Sequence, residues 1–91
     1  MRLDVASGGD VAALVRGADA ESLVLVVSPE LDPLANALAR AAIEPLAIER
    51  APATRVNAVF RGAAADPRDV EAAIAFLESA RSTTGQILIV S

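Results

Sequence analysis

Apolar and polar positions along the chain fall into seven blocks whose spacing alternates between strand and helix. Leu3–Ala6 is a short apolar stretch that ends at Ser7-Gly8-Gly9-Asp10. Val11, Leu14 and Val15 then recur at i, i+3 and i+4, the spacing of a short helix, which Gly17 and Asp19 close. Leu23–Val27 is apolar at every position and rich in β-branched residues, so it predicts a strand buried on both faces, stopped by Ser28-Pro29. Asp32-Pro33 is a helix start, because Asp caps free amides and proline at the first helical position gives up no hydrogen bond. The helix runs to about Arg50 with an expected inward stripe of Leu34, Leu38, Ala41, Ala42 and Leu46. Pro45 should kink it, and Pro52 ends the segment.

Arg55–Phe60 predicts a third strand, followed by Arg61-Gly62 and an alanine-rich loop. The same start device returns at Asp66-Pro67, and Val70, Ala73, Ile74 and Leu77 give the clearest amphipathic helix of the chain. Ser82–Gly85 is a turn before a last strand, Gln86–Val90, expected to be buried. The order β-α-β-α-β-α-β predicts a single α/β domain over residues 1–91, a four-stranded parallel sheet with three helices.

Composition narrows the chemistry more than it adds to the fold. The 91 residues carry 8 basic and 12 acidic side chains, a net charge of −4, and the basic ones are scattered arginines. That argues against nucleic acid as a partner. No apolar run approaches membrane-spanning length and no hydrophobic leader opens the chain, so no membrane and a cytoplasmic address are expected. The chain has no Cys, His, Tyr, Trp or Lys. Thiolate chemistry, imidazole bases, Schiff bases and tyrosyl acids are therefore excluded within it. What remains is carboxylates, Ser/Thr hydroxyls, arginines and backbone amides.

Several stretches resemble the short-chain dehydrogenase/reductase family. Leu46-Ala47-Ile48-Glu49-Arg50-Ala51-Pro52 followed by Arg55-Val56-Asn57-Ala58-Val59 is similar to a family helix ending LALELAP that leads into a strand IRVNAV. Asp69–Leu77 is similar to EDVAAAVAFLAS, and Thr84-Gly85-Gln86-Ile87-Leu88 to TGQVL. Arg2-Leu3-Asp4-Val5 with Ala6–Gly9 looks like a shortened RLDVLVNNAG, and Leu23–Ser28 like the IVNVSS strand. The resemblance implies a truncated, Rossmann-like domain, the second half of a dinucleotide-binding fold without its glycine-rich phosphate loop. Counting back from Pro52 puts Asp32 where the family has its catalytic tyrosine and Asn36 where it has its lysine. A phenol held at lowered pKa by an ammonium group is thus missing, and the implied protein is a degenerate, non-catalytic relative with no cofactor. The family's PG after the third strand survives only as Arg61-Gly62.

Candidate sites are few. Gly8 and Gly9 could hold an anion at the start of the first helix, against the simpler reading of a turn capped by Ser7 or Asp10. Glu30 and Asp32 form a carboxylate pair at the mouth of the second strand, against Asp32 as a cap. Arg61 and Gly62 are a vestigial cofactor contact, against a solvated loop. Glu78 and Arg81 pair at i, i+3.

If the strands run 1-2-3-4 with right-handed crossovers, all helices share one face and the other lies bare. Either a partner covers that face, or the last helix crosses to it, as the resemblance implies. In the family the last helix and strand also make a subunit interface, so Val70, Ile74, Leu77, Ile87 and Ile89 are expected to contact a second copy or a different partner. Three functions follow. The first is an oligomerisation or interaction module. The second is an oxidoreductase subunit whose partner supplies NAD(P) binding and the Tyr/Lys pair. The third is a small anion- or ligand-binding regulatory domain.

Overall fold

A computed structural model describes residues 1–6 and 8–91; the capping role considered for Ser7 lies outside the described residues. The element order is β1 (Arg2–Val5), α1 (Val11–Gly17), β2 (Ser22–Val27), α2 (Pro33–Arg50), β3 (Arg55–Arg61), α3 (Pro67–Ser79) and β4 (Ile87–Val90). The four strands form one sheet in the order β1-β2-β3-β4, every neighbouring pair parallel. Each helix starts on an aspartate. Asp10, Asp32 and Asp66 accept backbone N–H groups from Ala13, Ala35 and Arg68 at 3.1, 2.8 and 2.8 Å. Proline follows the cap in α2 and α3, as the Asp-Pro pairs require.

The bare sheet face is absent. On β2, Leu23, Leu25 and Val27 face α1 and α2, while Val24 and Val26 face α3. Strand alternation thus divides one continuous apolar run between two cores. Val70, Ile74 and Leu77 of α3, expected at an interface, are buried against Val24, Val26 and Val59 of the chain's own sheet. The strands step in one direction along the sheet, so α3 on the opposite face gives its crossover the opposite hand to the first two. The strong preference for right-handed crossovers marks the β3–α3–β4 connection as the exception.

Two further expectations change. β4 is not buried on both faces: as the edge strand beyond β3 it leaves Ile87 half-buried and Ile89 62% exposed. The inward row of α2 is rotated from the expected stripe: Leu46 is buried and Ala42 packs partly buried against the core as expected, but Leu34, Leu38 and Ala41 are exposed, and Ala39, Ile43 and Ala47 are buried instead. The helix also continues through Pro45 without a break. Both Pro45 and Ala41 are exposed, so the missing backbone bond lies on the solvent side of the helix.

Arg50 ties α1 to α2. Its guanidinium donates to the carbonyls of Val15 and, at 3.0 Å, Ala18, closing the C-terminal end of α1. Thr54 beside it donates to the Ala20 carbonyl at 2.8 Å. No helix among the described residues is long and apolar enough to cross a membrane.

Candidate functional site

Open parallel sheets take ligands beyond the carboxyl ends of their strands. Here that end holds a cleft of about 390 Å3 between the β1–α1 turn and the first half of α2. Gly8, Gly9 and Asp10 form one wall, Ala35, Leu38 and Ala42 the other. The lining is mostly small and apolar, and its charged group is the Asp10 carboxylate.

The glycines serve the turn. Gly8 has φ +84°, a backbone conformation that side chains disfavour, and a Cβ on Gly9 would stand 3.1 Å from the Ala6 carbonyl oxygen. The Gly9 N–H already donates to that oxygen at 2.9 Å. With one amide spent internally, a carboxylate in the wall and a helix of only seven residues behind it, this turn does not fit a dinucleotide phosphate.

Arg61 and Gly62 lie elsewhere. The Gly62 N–H donates to the Val90 carbonyl at 2.7 Å, and a Cβ there would come within 3.3 Å of the Ser91 Cα. Gly62 is thus a close-packing glycine between β3 and the end of β4, and neither residue lines the cleft with Gly8 and Gly9. The structure does not gather the sequence-predicted site residues into one place.

The positions standing for the family's tyrosine and lysine have other work. Asp32 caps α2, and the Asn36 side-chain carbonyl accepts from Arg40 Nε at 3.1 Å. Arg40 in turn lies over the Phe60 ring, 4.8 Å from its centroid. The Glu30 backbone N–H donates to Ser28 Oγ at 3.1 Å. Glu78 pairs with the Met1 amino group at 2.9 Å in place of Arg81. Among the described residues no cluster of three or more carboxylates is placed to hold a metal ion.

Sequence reasoning did not single out Leu38, Ala35 and Ala42 as cleft residues. Leu38 and Ala42 fall in the stripe whose spacing predicts an inward face, whereas Ala35 lies outside that stripe and carries no such signal.

A four-stranded parallel sheet clad on both faces, with its ligand end open, defines a small Rossmann-like α/β domain. The chain belongs to the SDR-like family, described as short chain dehydrogenase-like protein, whose model matches residues 6–90. No curated protein and no solved structure matches it.

Proposed function

We propose that this chain is a non-catalytic member of its family that works as an association module, presenting the open edge of β4 to a strand of a second polypeptide. The contrast between the two edges of the sheet carries this reading. Along β1, Arg2 pairs with Asp4 at 3.1 Å and with Glu71 at 2.6 Å, and charge on an edge strand resists pairing. Along β4 the sequence Ile87-Leu88-Ile89-Val90 carries no charge.

The carbonyls of Gln86 and Val90 accept from Ala58 and Gly62 on the β3 side, so by strand alternation the backbone groups of Ile87 and Ile89 point outward. Ile89 stands exposed on one side of that edge. On the other, exposed Phe76 borders a shallow groove that reaches Leu88. An edge of this kind is a template for strand addition. The absence of Tyr, Lys, His and Cys supports the non-catalytic part of the reading.

Size-exclusion chromatography with light scattering tests the contact. Ile89→Lys is expected to weaken association while leaving circular dichroism unchanged; unaltered association rejects the edge. Incubating the purified chain with reduced nicotinamide cofactor and a carbonyl compound tests the chemistry, and measurable turnover rejects the non-catalytic reading.

A second reading, an oxidoreductase subunit completed by a partner, draws support from the cleft at the carboxyl ends of the strands. Nicotinamide fluorescence titrated with and without a candidate partner separates the two. Binding only in the partner's presence favours the subunit.

A further inference from the structure

We propose that a polar pocket at the amino ends of β2 and β3 binds a free α-amino acid, its carboxylate held by Arg55 and Ser22 and its ammonium group by Glu21. The pocket has a volume of about 430 Å3, and Glu21, Ser22, Arg55, Glu78 and Arg81 all line it. It lies at the opposite end of the sheet from the Gly8–Gly9 cleft and is independent of the β4 edge.

Ser22 and Arg55 open their strands and are partners in the parallel register. Leu23 and Val56, the next residues, face α1 and α2, so by alternation both Ser22 and Arg55 stand on the α3 side. There the Arg55 guanidinium donates to the Glu78 carbonyl at 3.1 Å and the Arg81 carbonyl at 3.3 Å, at the end of α3. That spends Nη1 and Nη2. The Arg55 Nε is buried with no hydrogen-bond partner, and so is the hydroxyl of Ser22, a residue only 8% exposed. A buried polar atom without a partner costs free energy, and nearly all such atoms in folded proteins find one. Two of them on register partners in the wall of one pocket mark the place where an acceptor belongs.

Charge selects the occupant. Among the described residues Arg55 and Arg81 form no ion pair, and neither does Glu21, whereas Glu78 is taken by the Met1 amino group. A guanidinium with spare donors calls for a carboxylate. A simple anion would satisfy the arginines but would lie beside the Glu21 carboxylate. A zwitterion answers both signs. Glu21 and Ser22 are chain neighbours, so the acceptor for the ammonium group lies close to the donor for the carboxylate. The two charges of an α-amino acid are close together in the same way.

Nuclear magnetic resonance titration of the isotope-labelled chain with each of the common amino acids tests the site. At least one is expected to give saturable shifts at the Ser22 and Arg55 amides and at Arg55 Nε–H, with Gly8 and Gly9 unmoved. That amino acid should bind at least about tenfold more tightly than its own decarboxylated amine and its deaminated acid. No saturable shift at Ser22 and Arg55 overturns the proposal and leaves their unpaired atoms to ordered water. A deaminated acid that binds as tightly as its amino acid overturns the role of Glu21.

Variants separate binding from structure. Ser22→Ala deletes an unpaired buried hydroxyl, so it should raise the melting temperature of the free chain while weakening the amino acid at least about tenfold. A purely structural hydroxyl would move only the first of these, and unchanged affinity overturns the site. Glu21→Gln, on exposed surface, should weaken the amino acid but not its deaminated acid. Equal effects on the two ligands overturn the zwitterion.

Discussion

The side-chain carbonyl of Asn57 on β3 accepts the backbone N–H of Gln86 at 3.0 Å, so the approach to β4 is set by a side chain before the strand ladder begins. The same amide donates to the Thr83 carbonyl at 2.9 Å, and Thr84 Oγ1 accepts the Val56 N–H at 3.0 Å. Asn57 is fully buried, and its two bonds replace the water that the turn's backbone groups would otherwise need.

Asn57→Ala strips those partners from Thr83 and Gln86. It should cost about 2–4 kcal/mol, seen as a lower denaturation midpoint at unchanged slope. A loss well under 1 kcal/mol would show that other contacts hold the turn.

The apolar row of α3 is core, and substitutions there should behave as core substitutions. Leu77→Ala is expected to cost roughly 2–5 kcal/mol of stability. Ile89→Lys, on exposed edge surface, should cost under about 1 kcal/mol. Comparing the two midpoints under conditions where the chain is monomeric checks this. Equal losses would contradict the burial of α3.

Arg16 grips the Glu49 carboxylate through two hydrogen bonds of 2.8 and 2.9 Å, joining α1 to α2. The hydrogen bond from Arg16 holds the Glu49 pKa below its ordinary 4.5. A carboxylate depressed in the folded state stabilises above its unfolded pKa, and the contribution fades as pH falls through the lower folded value. The pair is solvent-exposed, so the effect is small and salt-sensitive. Glu49→Gln should lower the melting temperature slightly near neutrality, at low ionic strength, and should match the wild type in strong acid. A difference that persists below about pH 2 would rule out this origin.

Pro45 removes a backbone hydrogen bond from the middle of an otherwise continuous helix. Pro45→Ala restores the N–H toward the Ala41 carbonyl and is expected to raise monomer stability by about 1–3 kcal/mol. Thermal unfolding at low concentration reads this. Loss of stability would mean that the ring makes packing contacts worth more than the bond.

The sequence by itself determined the elements, their order and their class. Asp32-Pro33 and Asp66-Pro67 are start signals complete within a few residues, and the run Leu23–Val27 declares a doubly buried strand without reference to any neighbour. The missing Tyr, Lys, His and Cys bound the chemistry in the same local way. Tertiary structure alone decided which way things face. α2 carries two apolar rows, and periodicity gives a row's spacing but not its direction: Ala39 and Ile43 turn inward, Leu34 and Leu38 outward. Gly8, Gly9, Arg61 and Gly62 looked alike as candidate contacts. Only the packed backbone distinguished turn glycines from the close approach of Gly62 to Ser91. The residue pattern left two outcomes open for the second sheet face, a partner or a crossed last helix; the resemblance implied the crossing, and the packing of α3 on Val24, Val26 and Val59 bears it out.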